Sequence, residues 1–349
     1  MTNPDIAQLR LYNQHITRQI FTKPHEVVKY LGAVQAQDYA GAKWAIGLRL
    51  KKSSDAMIDK AMANGSIIRT HVLRPTWHFI SPEDARWMID LTAPRINAQA
   101  GTWFRKLELD ANVFKQSNDA LAKALAGGKQ LDRAAVMGVL NEAGVKTDDL
   151  RFIHLLMRAE LDKVICSGGR KGKQFTYALF DDRVPASGNF DKDESLAKLA
   201  ERYFSSRGPA TLPDFTWWSG LSATEAKRGL EMIKPKLASL EIAGLQYWLA
   251  KDQQDITGKS PVAHLLPAYD EFAVAYKDRT AIINPKYLTQ ARYVIFDPSI
   301  VVNNQVVGTW KRVLKKNSAD ISLNLFGKLN KTQEKAVEAA AERYQKFIG

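Results

Sequence analysis

Residues 128–180 read GKQLDRAAVMGVLNEAGVKTDDLRFIHLLMRAELDKVICSGGRKGKQFTYALF, and the order of patterns in this stretch decides the fold. Leu131, Val136, Val139 and Leu140 recur at helical spacing and Gly144 closes the run, which predicts an amphipathic helix over 128–144. A second helix is expected from Asp148 through Leu161, after which VICSG turns extended. GGRKGK is a glycine-rich basic turn, and QFTYALF alternates as a strand does. Helix, helix, strand, basic hairpin turn, strand is the layout of a winged helix-turn-helix.

The same layout recurs on both sides. In residues 193–250, DESLAKLAERYFSSRG predicts a helix ending at Gly208, and TLPDFTWWSGL a short helix starting after Pro213. SATEAKRGLEMIKPKL follows, with Ser222 as N-cap and Glu225 three residues on, the signature of a capping box. LEIAGLQYWLA then reads as strand, turn, strand. A less regular copy covers residues 3–80: helices opened by Asn3-Pro4, in TKPHEVVKYLG and in SDAMIDKAMANG, then two short strands around Arg74-Pro75. Residues 262–310 are rich in Val, Ile and aromatic residues, with LLPAYDEFAVAY, YVIFD and SIVVNNQVVGTW expected as β-structure and NNQ as a hairpin turn. The chain closes on a predicted helix, TQEKAVEAAAERYQKF.

Composition narrows the function. The 349 residues exceed what one core usually spans. No apolar run nears the ~20 residues that cross a bilayer, and MTNPDIAQLR lacks a signal-peptide core, so a cytoplasmic protein is expected. One cysteine, Cys166, excludes internal disulfides and a cysteine-rich zinc site. Fifty Lys and Arg against 37 Asp and Glu give a net charge of +13, which favours a polyanionic partner, nucleic acid first.

Three stretches carry candidate chemistry. The basic turn offers Arg170, Lys171 and Lys173 beside glycines that let backbone approach a phosphate; the plain alternative is a solvated hairpin tip. RTHVLRPTWHF places Arg69, Thr70, His71, Arg74, Thr76 and His78 in an apolar frame. Thr70, Val72, Arg74, Thr76 and His78 would share one face of a single strand, although Pro75 argues for an edge or a bulge. Arg and Thr suit a phosphate clamp better than loosely spaced histidines suit zinc, so neither metal nor cofactor is expected. In AVQAQDY, residues 33–39, Gln35 and Gln37 follow a helix expected to end near Gly32, and spacing of two puts both amides on one side of an extended segment. Read alone, such a pair more often caps a helix end. Asp270 and Glu271 in LLPAYDEF are adjacent and point apart on a strand, which argues against a paired acid and base.

Together, Gln35-Ala36-Gln37, HVLRPTWHF, LLPAYDEF and VVGTWKR, in that order, resemble the winged-helix DNA glycosylases that repair interstrand crosslinks, the AlkZ/YcaQ-like family. The resemblance runs over nearly the whole chain. It implies an α+β fold of tandem winged helix-turn-helix modules followed by a C-terminal β-rich, barrel-like part. The expected divisions are 1–125 with the catalytic motif, 126–190, 191–255 and 256–349. It further implies that a catalytic Gln–apolar–Gln pair maps onto Gln35 and Gln37, the all-amide version, rather than one with Asp at the second place. Lys311 and Arg312 of the GTWKR stretch join the expected DNA contacts.

The implied chemistry suits two neutral amides. Alkylation of a purine at N7 or N3 makes the base cationic, so it departs without a general acid. What remains is an oxocarbenium-like sugar and a water, which amide dipoles can face and orient. An amide is no effective base near pH 7, so such an enzyme depends on a labile lesion. The expected partner is double-stranded DNA carrying alkylation damage or crosslinks, bound by a monomer. The rival reading is a non-enzymatic winged-helix regulator, since fold does not fix function.

Overall fold

The computed structural model describes residues 2–186, 188, 190–251, 263–315 and 318–349. The chain divides into two compact units: Met1–Ile58 together with Leu196–Gly349, and Asp59–Ser195. Each is a mixture of helices and antiparallel sheets.

In the unit Asp59–Ser195, strands Ile68–Val72 and Arg74–Ile80 form one antiparallel hairpin. The chain reverses at Leu73, held at φ +63°, and the register shifts between His71 and Val72. The single strand face expected for residues 70–78 is thereby folded in two. Thr70 and His78 become cross-strand partners instead of same-strand neighbours. The reversal falls at Leu73, just before the Arg74-Pro75 pair around which it was expected; Pro75 lacks an N–H and sits where none is required, exposed within the second strand.

The helices Pro82–Lys106 and Ala111–Leu125 follow, then residues 128–180. Leu131–Asp132 is a short strand rather than the start of a helix. The reason is Asp132, whose side chain accepts the Ala135 N–H and so sets the start of helix Arg133–Glu142. Asp148 accepts the Arg151 N–H and caps Asp149–Leu161 in the same way. Strands Ile165–Ser167 and Thr176–Leu179 flank the basic turn, and the three strands lie in the order 131–132, 176–179, 165–167. Val136, Leu140, Phe152, Leu155 and Ile165 are fully buried between them. Cys166 is buried there too, and burial pushes its thiol up to about 12.

In the other unit, which takes helix Lys192–Arg207 from Leu196 onward, Leu212–Ser219 and Ala223–Ile233 are helices and Leu237–Ile242 pairs with Leu245–Ala250. Thr211, not Pro213, opens helix Leu212–Ser219, since its hydroxyl accepts from the Asp214 N–H and Pro213 fits the first turn without a donor. Ser222 and Glu225 form the expected capping box. Ala210 bridges antiparallel to Trp248.

The C-terminal sheet runs in the order Ala319–Leu325, Gln305–Leu314, Ser299–Val302, Ala263–Leu266, all antiparallel. It is open among the described residues, so the barrel-like expectation is corrected to a four-stranded sheet backed by helix Lys331–Ile348. Trp44 packs edge-on against Tyr344 at 5.1 Å and Trp310 does so at 5.0 Å, and both indoles donate to carbonyls of the strand Ala263–Leu266. Asn303 and Asn304, at φ +51° and +68°, make the hairpin turn read from NNQ. Two other stretches expected as β are different. Residues 271–274 are helical because Asp270 caps them, and YVIFD lies in turns.

Candidate active site

Helix Pro24–Leu31 ends at Gly32, whose φ of +75° is one that a side chain disfavours. Strand Ala33–Gln35 follows at once. Three residues after Gln35, and one after Gln37, Asp38 caps the next helix, Tyr39–Gly47, by accepting the Gly41 N–H at 3.1 Å. The two glutamines thus lie in a seven-residue link, Gly32–Asp38, between two helices and fixed at both ends. They differ in exposure: Gln35 is 7% exposed, Ala36 is fully buried and Gln37 is exposed.

Asp38 has a second partner. Arg312 donates to its other carboxylate oxygen at 2.8 Å. Asp38 is therefore committed to a helix N-terminus and an arginine, in keeping with a structural rather than a basic role.

The acids of LLPAYDEF are committed as well, each to its own buried arginine. Arg49 donates to both oxygens of Asp270, at 2.9 and 3.0 Å. Its remaining N–H groups reach Ala45 O, Gln14 O and Gln14 Oε1. Glu271 receives Arg207 Nε at 3.0 Å, Arg207 Nη2 at 2.7 Å and Trp218 Nε1 at 3.0 Å on one oxygen. Its other oxygen accepts the backbone N–H of Gln35 at 3.0 Å. The two carboxylates point apart, as read from their adjacency, although they begin a helix rather than lie in a strand.

The remaining candidates are distributed as follows. Lys311 is exposed on strand Gln305–Leu314, while Arg312 keeps only 12% of its side chain exposed and turns to Asp38. Arg69, Thr70, His71, Arg74, Thr76, His78, Arg170, Lys171 and Lys173 belong to the unit Asp59–Ser195. There the Arg69 backbone N–H reaches Ser167 Oγ at 2.8 Å, and its guanidinium lies over the rings of Trp77 at 4.4 Å and Phe175 at 4.7 Å. The RPTWH hairpin and the strands of the basic turn are thus one packed assembly.

Within it, Thr70 and His78 are fully buried, and His71 is buried with its backbone N–H and Nδ1 both on Glu160 Oε2. His78 Nδ1 lies 3.0 Å from the Thr76 carbonyl. Arg74, Thr76 and Trp77 are half-buried, and Lys171 and Lys173 are exposed. Arg170 donates to the Lys173 carbonyl at 2.6 Å, which curls the basic turn on itself.

Sequence reasoning did not single out Arg49, Arg207, Gln14 or Trp218. Nothing in their local pattern marks them, since a buried arginine reads like a surface one until its carboxylate is placed beside it. Among the described residues no group of three or more His, Cys, Asp or Glu side chains is arranged to hold a metal ion. None of the described helices is long and apolar enough to cross a membrane.

Comparison with known proteins gives three findings. A family model described as "DNA glycosylase AlkZ-like" matches residues 28–347. The "Interstrand DNA cross-link repair glycosylase" of Streptomyces sahachiroi is 22% identical over 367 residues, covering 97% of this chain and 95% of that protein. The solved structure of the Streptomyces sahachiroi DNA glycosylase AlkZ matches with a TM-score of 0.83 at 19% identity, covering 100% of this chain and 97% of that one. At that identity the structural match speaks for the fold.

Proposed function

The chain belongs to the AlkZ-like DNA glycosylase family, and from that premise we propose that it releases purines alkylated at N7 or N3, unhooks interstrand crosslinks, and does both through Gln35 and Gln37. The observation that carries the reading is the conformation of residues 33–38: two amides in a link pinned between two helices, one shielded and one open to solvent.

A cationic base needs no acid to leave. The work left to the protein is to hold a water against the anomeric carbon and to face the developing sugar cation with negative dipole ends. Gln37 is open to solvent, from which substrate and water would approach; Gln35 is buried. The acids nearest in sequence or by contact, Asp38 and Glu271, are engaged by Arg312 and Arg207, which supports a reaction without a carboxylate base. Such an enzyme accepts labile, charged adducts and leaves neutral lesions alone. The crosslink activity rests on the printed name of the Streptomyces relative.

We extend the proposal to DNA binding. Helix, strand, two helices, strand, turn, strand occurs over residues 111–179 and again over 192–250, where the Ala210–Trp248 bridge stands for the first strand. This order supports tandem winged helices, with modules at 1–125, 126–190 and 191–255 and the β-rich part at 256–349. Lys171 and Lys173 of the basic turn, Arg74 of the hairpin and Lys311 are the candidate contacts whose exposure suits a phosphate, while the Thr76 hydroxyl oxygen is buried. Arg69, Thr70, His71, His78, Arg170 and Arg312 then shape those surfaces rather than touch DNA first. The protein is proposed to act as a monomer on chromosomal DNA in the cytoplasm.

The deciding experiment is release of free N7-methylguanine from a methylated duplex, and of unhooked strands from a crosslinked one, by the parent protein, Gln35→Ala and Gln37→Ala. Release by the parent and its loss in both variants supports the reading. Parent-rate release by both variants removes the glutamines from the mechanism.

A further inference from the structure

Gln35 and Gln37 can act as a pair only if the backbone between Gly32 and Asp38 holds one conformation. A strand of this length normally gains that constancy from neighbours that take up its N–H and C=O groups. On one edge of Ala33–Gln35, side chains do this. Arg207 Nη2 donates to Ala33 O at 2.8 Å, and Glu271 Oε1 accepts from Gln35 N at 3.0 Å. In an extended strand these two groups, two residues apart, lie on the same edge. The guanidinium and the carboxylate therefore stand where a neighbouring strand would present one N–H and one C=O. Arg207 Nη1 also donates to Leu31 O at 2.6 Å, across Gly32, so the end of the helix is held by the same group.

The pair is itself fully determined. Both side chains are 0% exposed. The five N–H groups of Arg207 are all placed: Nε on Glu271, Nη1 on Leu31 O and Ser206 Oγ, Nη2 on Ala33 O and Glu271. Trp218 donates to Glu271 and lies 4.4 Å beneath the guanidinium. Neither residue is free to meet DNA, water or a leaving base.

We propose that Arg207 and Glu271 are positioning residues of the glycosylase reaction, a paired clamp on the backbone at Leu31, Ala33 and Gln35 that sets where the two amides stand. The proposal rests on the reading of Gln35 and Gln37 as the acting groups. A group displaced by about 1 Å can lose on the order of a hundredfold in rate, and loss of this clamp frees the backbone immediately before both amides.

The test uses the full chain. Removing one charge leaves the other buried and alone, so Glu271→Gln can fail to fold. The informative variant is the double substitution Arg207→Met with Glu271→Leu. It keeps the volume, buries no charge, and removes all three backbone contacts; such swaps are often tolerated in stability. Three quantities are read on it: thermal stability, affinity for an N7-methylguanine duplex, and the single-turnover rate of base release with enzyme in excess. Amide hydrogen exchange at Gln35 reports the clamp directly.

The expected result is a folded protein with unchanged affinity, faster exchange at Gln35, and base release slowed ten- to hundredfold. Rate and affinity parting in this way is what a general loss of structure would not give. A folded double variant that releases base at the parent rate, while Gln35→Ala and Gln37→Ala are slow, overturns the clamp and leaves the glutamines standing. Parent rates in those two alanine variants overturn the reading beneath it, and the clamp with it. If the double variant does not fold, Arg207→Lys decides: it keeps the charge but cannot span Glu271, Leu31 O and Ala33 O at once, and a parent rate there overturns the proposal.

Discussion

Arg312 donates to Asp38 at 2.8 Å, and Asp38 is the residue immediately after Gln37. The contact ties strand Gln305–Leu314 to the end of the glutamine segment. Asp38 also accepts the Gly41 N–H, so one carboxylate holds a helix start and an arginine together. Its position makes it the obvious candidate for a base, and its partners argue against that.

The first prediction separates the two roles. Asp38→Asn keeps a good helix cap and an acceptor but has no basic carboxylate. It should excise N7-methylguanine within a few-fold of the parent. Asp38→Ala should lose about 1 kcal/mol of stability through the missing cap. In a double-mutant cycle with Arg312→Met, the Asp38–Arg312 coupling should stay within roughly 1 kcal/mol, because Asp38 keeps 34% of its side chain in solvent. A loss of a hundredfold or more in Asp38→Asn at unchanged melting temperature would make Asp38 the base.

DNA affinity should fall steeply with salt, and the basic turn should own part of the slope. Each phosphate contact contributes about 0.9 to the slope of log K against log salt. Replacing Lys171 and Lys173 by Ala should therefore flatten the slope by up to roughly 1.8 and weaken all sequences alike. Arg170→Ala should act through the shape of the turn, since its guanidinium is spent on the Lys173 carbonyl. Fluorescence anisotropy at several salt concentrations measures this. An unchanged slope in the lysine variants takes the turn out of the interface.

The hairpin of the same unit splits into two groups. Arg74→Ala should lower affinity or rate while the melting temperature holds, because its side chain is only half-buried; Thr76→Val, which removes a buried hydroxyl, should leave affinity and rate unchanged. His78→Ala should instead cost about 1–3 kcal/mol of stability, because the ring is fully buried and its loss leaves a cavity in the hairpin. Equal melting temperatures for all three would show that His78 is not part of the core.

How far the sequence reached is visible in these same residues. Helix ends were legible where a capping residue declares itself: Ser222 with Glu225, Gly32 after Leu31, Gly208 after Arg207. The basic turn was legible because glycines and lysines have nowhere else to go. The hairpin reversal was misplaced by a residue or two, since Leu73 carries no turn signature and adopts φ +63° only under tertiary constraint. YVIFD has the composition of a strand yet lies in turns, as packing overrides β-propensity in a short segment. Arg49 and Arg207 were invisible, because what distinguishes a buried arginine is the acid opposite it, here more than sixty residues away in each case.

His264 gives a pH prediction. It is buried on the C-terminal sheet, and burial, aided by Arg343 and opposed by Asp270, lowers its pKa to about 4. The unfolded chain takes up the proton near the ordinary 6.5 while the folded protein does not. The stability contributed by the neutral ring is whole above 6.5 and drains away as pH falls toward 4, amounting to roughly 3 kcal/mol at the foot of that range. Between pH 7 and 4.5 the parent should lose more melting temperature than His264→Phe, which has no ring to protonate. An identical acid slope in both proteins would show that His264 does not titrate on unfolding.

The sharpest prediction concerns Gln37. If its amide orients water and faces the sugar cation with a dipole, Gln37→Ala should slow release by about a hundredfold to a thousandfold, which corresponds to ~2.7–4 kcal/mol for a lost stabilising group. Gln37→Asp should stay active for a different reason: a carboxylate takes the proton from water and opposes the cation with full charge. Gln37 is exposed, so the new acid keeps its hydration and titrates not far from the ordinary value of about 3.9. Asp38 beside it adds a like charge, which raises that value, while Arg312 tempers the rise. The variant should therefore lose activity as pH falls through the range of roughly 4–6, where the parent, with no carboxylate to protonate at this place, holds its rate. It should also attack lesions less labile than a cationic purine, because a base no longer waits for the leaving group to be nearly gone. Single-turnover rates across pH on N7-methylguanine and on a neutral adduct decide the matter. A Gln37→Asp protein with a flat pH profile and the parent's range of lesions would mean that the side chain at this position does not touch the water, and the amide mechanism would have to be carried by Gln35 alone.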